Sequence, residues 1–181
     1  MRYISREKAA FALLLLIIGV FYRFVPHPPN FSPLAAIALF GGFYFRKMRF
    51  ALIPVAILFL TDIFLGFYQT GIMLSVYFSF ILIAFLGIQI RKKTSLATII
   101  GGSLLGSILF FFLTNFSVWI FGNWYAHNFS GLTHCFYLAI PFFRNTLLGD
   151  LFFSSVFFGI YEASQIYITK RSIQTPSQIG I

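Results

Sequence analysis

The sequence predicts an all-α fold, an integral membrane bundle of six transmembrane helices with both termini cytoplasmic. Three observations lead there. The 181 residues are 59% hydrophobic and 9% charged, against about 25% charged in a soluble domain. The hydrophobic residues fall in runs of membrane-spanning length. When those runs are threaded alternately through a bilayer, 11 of the 13 Lys and Arg residues collect on one side, as the positive-inside bias requires. Strict period-2 alternation is absent, which argues against a transmembrane barrel.

The elements follow in order. Ala9–Val25 is the first span. Its basic approach (Arg2, Arg6, Lys8) and apolar run resemble a signal peptide, but Phe24-Val25-Pro26 replaces a small-residue cleavage site, so it reads as a retained helix. Leu34–Phe45, Phe50–Tyr68, Gly71–Ile90 and Leu96–Phe121 are the next four spans, and Thr146–Ile168 is the sixth. Phe136–Phe143 precedes the sixth span and contains Pro141, so it reads as an interfacial segment or a bent lead-in packed on the bundle. Residues 1–171 form one membrane domain, and 172–181 a cytoplasmic tail. The inner side holds Arg2, Arg6, Lys8, Arg46, Lys47, Arg49, Arg91, Lys92, Lys93, Lys170 and Arg171; only Arg23 and Arg144 lie on the outer side.

The second span is anomalous. Its 12 residues make about 18 Å of helix, against a hydrocarbon core of about 30 Å. With Arg46 at the inner boundary, Pro33 lies on the order of 10 Å below the outer one. The stretch His27-Pro28-Pro29-Asn30-Phe31-Ser32-Pro33 then descends into the membrane as irregular backbone, either lining a wet cavity or packed as a turn over a tilted bundle. Pro33 suits the first helical turn, with Ser32 as its cap. A short, Pro-interrupted span is a pointer to a transporter binding site.

The second polar interruption is Arg144-Asn145-Thr146-Leu147-Leu148-Gly149-Asp150. Of the four acids, Glu7 sits among inner basic residues and Glu162 near Lys170 and Arg171. Asp62 and Asp150 fall deeper. Asp62 is about 18 Å above the inner boundary, the depth of Pro33. Arg144 and Asp150 are six apart and on different helix faces, so each should find partners on other helices. Arg23, Asp62, Arg144 and Asp150 could form one outer-leaflet cluster, as a structural ion-pair network or as ligand contacts. The candidate solute-binding residues are Asn30, Ser32, Asp62, Asn115, Trp119, Arg144, Asn145 and Asp150. Trp119, Trp124, Tyr125 and Tyr137 also fit an outer aromatic belt. Gly101, Gly102, Ser103, Gly106 and Ser107, and Ala38 with Gly42, form small faces for close helix packing.

Several classes are excluded or disfavoured. The net charge of +9 does not indicate nucleic acid, because the basic residues flank hydrophobic runs. A single Cys135 precludes an intrachain disulfide and reads as a small packing residue. His27, His127 and His134 lack ligand spacing and a carboxylate, so no metal or other cofactor is expected. G-x-S-x-G, H-E-x-x-H and Walker A motifs are missing, so the chain is not read as an enzyme and ATP-driven work would need a partner.

Taken together, His27 to Pro33, Ala38-Leu39-Phe40-Gly41-Gly42, Thr61-Asp62, Thr114-Asn115-Phe116 with Trp119, and Pro141 to Asp150 resemble an uncharacterised family of small bacterial membrane transport proteins. That resemblance covers about residues 20–160, and the family in turn resembles, distantly and in size, six spans and general layout, the substrate-binding S components of energy-coupling-factor (ECF) transporters. The resemblance implies a multi-pass protein of the bacterial inner membrane that captures a vitamin-like solute near the outer face. Many S components work with a transmembrane coupling subunit and two ATPases; a few act alone. The first helix offers Ala9, Ala10 and Ala12 but no clear match to the small-residue motif that docks a coupling subunit. The alternative is a non-transporting membrane scaffold or partner subunit whose polar groups serve packing.

Overall fold

The computed structural model describes residues 6–45, 52–91 and 95–174. They form six helices: α1 (Arg6–Phe24), α2 (Leu34–Phe45), α3 (Leu52–Leu65), α4 (Thr70–Ile90), α5 (Leu96–Phe121) and α6 (Phe129–Gln174). The basic residues Arg2, Arg46, Lys47, Arg49, Lys92 and Lys93, the expected span start at Phe50 and residues 175–181 of the tail lie outside the described residues, as do the side chains of Lys170 and Arg171.

Three helices are long and apolar enough to cross a membrane: α4, α5 and the Phe129–Tyr167 part of α6. With 12 and 14 residues, α2 and α3 reach only about 18 and 21 Å. Two boundaries depart from expectation. α3 ends at Leu65 rather than Tyr68, because Gly66 adopts φ 97° and its N–H bonds back to the Asp62 carbonyl at 2.9 Å, a left-handed helix stop that glycine allows. α6 begins at Phe129, not Thr146. The Phe136–Phe143 segment is therefore part of the helix, with Pro141 inside it. Asn128 starts it, its Oδ1 accepting from the Gly131 N–H at 2.8 Å. Ser95 caps α5 in the same way through the Thr98 N–H at 3.1 Å.

α2 is the centre of the bundle. Residues 33–43 are all buried, and α2 packs against each of the other five helices. A helix that is hydrophobic all round is expected in such a position. Its approach to α4 is backbone to backbone. A Cβ on Gly42 would lie 1.8 Å from the Ala84 carbonyl oxygen, and one on Gly87 would lie 2.2 Å from that of Leu39. Of the small residues of α5, Gly102, Ser103, Gly106 and Ser107 point inward to this core, where Gly102 meets Ile90 and Gly106 meets Ile83, whereas Gly101 is exposed.

The distribution of residue types is that of a membrane-type helical protein. Phe21, Phe64, Leu96 and Phe129 are exposed, whereas Thr61, Asp62, Ser79, Ser103, Ser107, Thr114, Thr146, Asp150 and Ser154 are buried. The interior hydroxyls are kept satisfied locally. Ser79, Thr114 and Thr146 each donate to the carbonyl four residues earlier, at 2.7, 2.8 and 3.0 Å.

Candidate functional site

The two polar interruptions of the sequence meet at one end of the bundle. Between α1 and α2 the chain turns at Pro28–Phe31, where the Phe31 N–H donates to the Pro28 carbonyl at 3.0 Å. Pro29 and a positive-φ Asn30 (φ 63°) occupy the central positions, a combination suited to a type II turn. The α2 ladder starts from the Pro33 carbonyl, which accepts from the Ile37 N–H at 2.9 Å. Ser32 Oγ lies 3.4 Å from the Leu34 N–H. The turn is fastened to α6. Asn145 Nδ2 donates to the Pro29 carbonyl at 3.1 Å, and Phe31 packs on Phe153 with ring centroids 5.6 Å apart. A Cβ on Gly149 would come within 3.1 Å of the Ser32 amide nitrogen.

Beneath this turn lies a cavity of about 240 Å³. Its polar wall comprises Arg23, His27, Asn30, Ser32, Tyr68, Thr146 and Asp150; Leu34, Ala35, Leu58, Val76, Phe80 and Phe110 supply the apolar wall. Arg23 reaches in from the last turn of α1. Its Nη2 is 2.8 Å from Asp62 Oδ1, and its Nη1 donates to the Leu58 carbonyl at 3.3 Å and to the Thr61 hydroxyl. The Tyr77 hydroxyl donates to Asp62 Oδ2 at 2.7 Å. Asp62, with its side chain 1% exposed, is thus enclosed behind Arg23. Asp150 is 3% exposed and has a different setting: Ser107 of α5 donates to its Oδ2 at 2.7 Å.

The expected site residues are therefore distributed unevenly. Asn30, Ser32 and Asp150 line the cavity, and Asp62 stands one layer behind it. Asn145 holds the turn from outside. Arg144 is exposed and makes no ion pair with a described residue, so the four-charge cluster resolves into the Arg23–Asp62 pair and a separate Asp150. Asn115 and Trp119 lie away from the cavity. Asn115 Nδ2 donates to the Phe111 carbonyl at 2.8 Å, and its own carbonyl receives buried Cys135. Trp119 Nε1 donates to the Ala126 carbonyl at 2.9 Å, bracing the α5–α6 connection.

Tyr77 and Ser107 escaped the sequence reading as site residues. A hydroxyl inside an apolar run looks like packing until its partner on another helix is known. Tyr44 likewise donates to Glu162 across α2 and α6. Among the described residues, no three His, Cys, Asp or Glu side chains are grouped to hold a metal. A second cavity, about 280 Å³, lies at the other end of the α5–α6 seam, between Ser95 and Glu162.

Residues 4–172 match DUF6580, a family of unknown function. No curated protein and no solved structure matches the chain.

Proposed function

We propose that this chain, which belongs to the DUF6580 family, is a membrane transport protein that binds a small solute from the outer face. The cavity under the Pro-rich turn carries this reading. It is bounded by α1 to α6 and by both polar interruptions, and it mixes an apolar wall with a few convergent polar groups, as small-molecule sites do. At about 240 Å³ it falls just below the roughly 300–1,000 Å³ of drug-sized pockets, so the solute is small. Asn30, Ser32, Arg23 and Asp150 orient it, with Phe80, Phe110 and Tyr68 covering its apolar part. Short α2 supports the location: in a six-span bundle, a helix that begins only at Leu34 would leave the turn and the cavity below the outer boundary.

The same reading takes all six helices as spans of the bacterial inner membrane, with both termini cytoplasmic. Transport proceeds by the chain alone or with a transmembrane coupling subunit and its ATPases, as in S components. A second reading, a scaffold whose charges only hold helices together, is favoured by one observation: Arg23, Asp62, Thr61 and Tyr77 satisfy one another within the bundle.

Mass spectrometry of small molecules retained by the protein in mild detergent separates the two. The wild type should retain a specific solute. An Ala35→Phe variant, which fills the cavity from α2, should lose it while keeping its elution profile and helical circular-dichroism spectrum. Identical small-molecule spectra, or none retained by either protein, would sink the transport reading.

A further inference from the structure

We infer that Asp150 anchors a positively charged nitrogen, so that the solute is a small organic ammonium ion; this rests on the reading of the cavity as a solute site. Among the described residues Asp150 is one of two buried carboxylates, and of the two only Asp62 is paired there with a cation. Asp150 Oδ2 takes the Ser107 hydroxyl. Its Oδ1 makes no hydrogen bond with a described residue, and no sealed side-chain oxygen among those residues lacks a partner. Oδ1 is therefore not sealed, and Asp150 is one of the residues that line the cavity.

The neighbouring charges do not neutralise it. Arg23 faces the same cavity but is committed to Asp62 at 2.8 Å, and that pair is neutral as a unit. Arg144 stands six residues earlier on α6, about 9 Å along the axis and on another face, and it is exposed. His27 is at the exposed rim, stacked on Tyr22 with ring centroids 4.8 Å apart. α2 contributes Leu34 and Ala35, α3 Leu58, and α4 Val76 and Phe80, all without charge. The cavity thus presents one uncompensated carboxylate against an apolar wall. In a low-dielectric interior such a group is costly unless paired, and a cation arriving with the solute pairs it. Phe80 and Phe110, with ring centroids 5.4 Å apart, line the same space, and aromatic rings beside a site favour a cation over a neutral or anionic group.

The test uses three probes of similar size and different charge: benzylamine, which is protonated at pH 7, benzyl alcohol and benzoate. Each is titrated into the purified full-length protein in detergent while the thermal unfolding midpoint is followed. Benzylamine should raise the midpoint saturably, and the other two should not. Asp150→Asn should weaken the apparent benzylamine affinity at least about tenfold, the scale of one lost charge-assisted hydrogen bond. Ser107→Ala keeps the carboxylate and should retain the response, which guards against a variant that is merely misfolded. A response to all three probes, an unchanged response in Asp150→Asn, or no response to benzylamine in folded wild type would overturn the inference. A co-purified solute without a cationic nitrogen at pH 7 would overturn it too, while leaving the transport reading standing.

Discussion

Asp62 and Asp150 keep a carboxylate inside an apolar bundle in two different ways. Asp62 is closed off by Arg23 and Tyr77, whereas Asp150 has one hydroxyl on Oδ2 and an Oδ1 that is not sealed. Removing Arg23 leaves a carboxylate with its side chain 1% exposed and without its cation. Arg23→Ala should therefore cost about 3–5 kcal/mol, the usual penalty for breaking a buried pair from one side. Tyr77→Phe removes one hydrogen bond to the same carboxylate and should cost about 1–3 kcal/mol. Denaturation midpoints in detergent would rank the two, and an Arg23→Ala variant no less stable than a surface substitution would show that the pair holds nothing. The acids themselves were readable as unusual from their depth in hydrophobic runs. Which basic residue each one meets was not: Arg23 and Asp62 are 39 positions apart, and only the packing of α1 on α3 brings them together.

At the scale of elements, α2 carries the most consequence. Its limits, Leu34 to Phe45, are legible from Pro33 before it and Arg46 after it, because proline cannot donate to a helix interior and a basic residue marks the end of an apolar run. Its central position is legible only in part. An all-apolar helix must be buried or lipid-facing, and sequence does not say which. The close contact of Gly42 and Gly87 with facing carbonyls decides it. Gly42→Ala would drive a Cβ into the Ala84 backbone, which cannot retreat without separating the two helices. We predict loss of monodisperse protein after detergent extraction. Gly101→Ala is the contrasting case: nothing lies within 4 Å of its Cβ position, and replacing glycine in a helix should add up to about 1 kcal/mol. Equal behaviour of the two variants would contradict the backbone contact. α6 illustrates the opposite failure of legibility. Pro141 argued for a break, since it leaves the Tyr137 carbonyl without its intrahelical donor. The helix nevertheless runs through it, as packed membrane helices permit.

For the whole molecule, the number of spans fixes the relation of the two ends. Six crossings place both termini on one face; crossing by α4, α5 and α6 alone would place them on opposite faces. Fluorescent reporters fused separately at Met1 and Ile181 should both be active in the cytoplasm, and activity at only one end would overturn the six-span topology. A finer check uses single cysteines in a Cys135→Ser background. Asn123→Cys should react with an impermeant maleimide on intact cells, and Ser95→Cys only after permeabilisation. The sequence alone determined the all-helical, membrane-type character of the molecule, the number of its helices and the two places where polarity interrupts it. It could do so because hydrophobic run length, proline and charge act locally, within a turn or two of the residue that carries them. Only the tertiary structure decided that the two interruptions close over one cavity, that Asp150 lines it apart from the Arg23–Asp62 pair, and that Asn115, Trp119 and Arg144 do not line it. Those outcomes depend on which helix faces meet, and in a bundle this uniformly apolar many facings bury similar area. The choice among them falls to a few close backbone contacts and buried polar pairs between residues far apart in the chain.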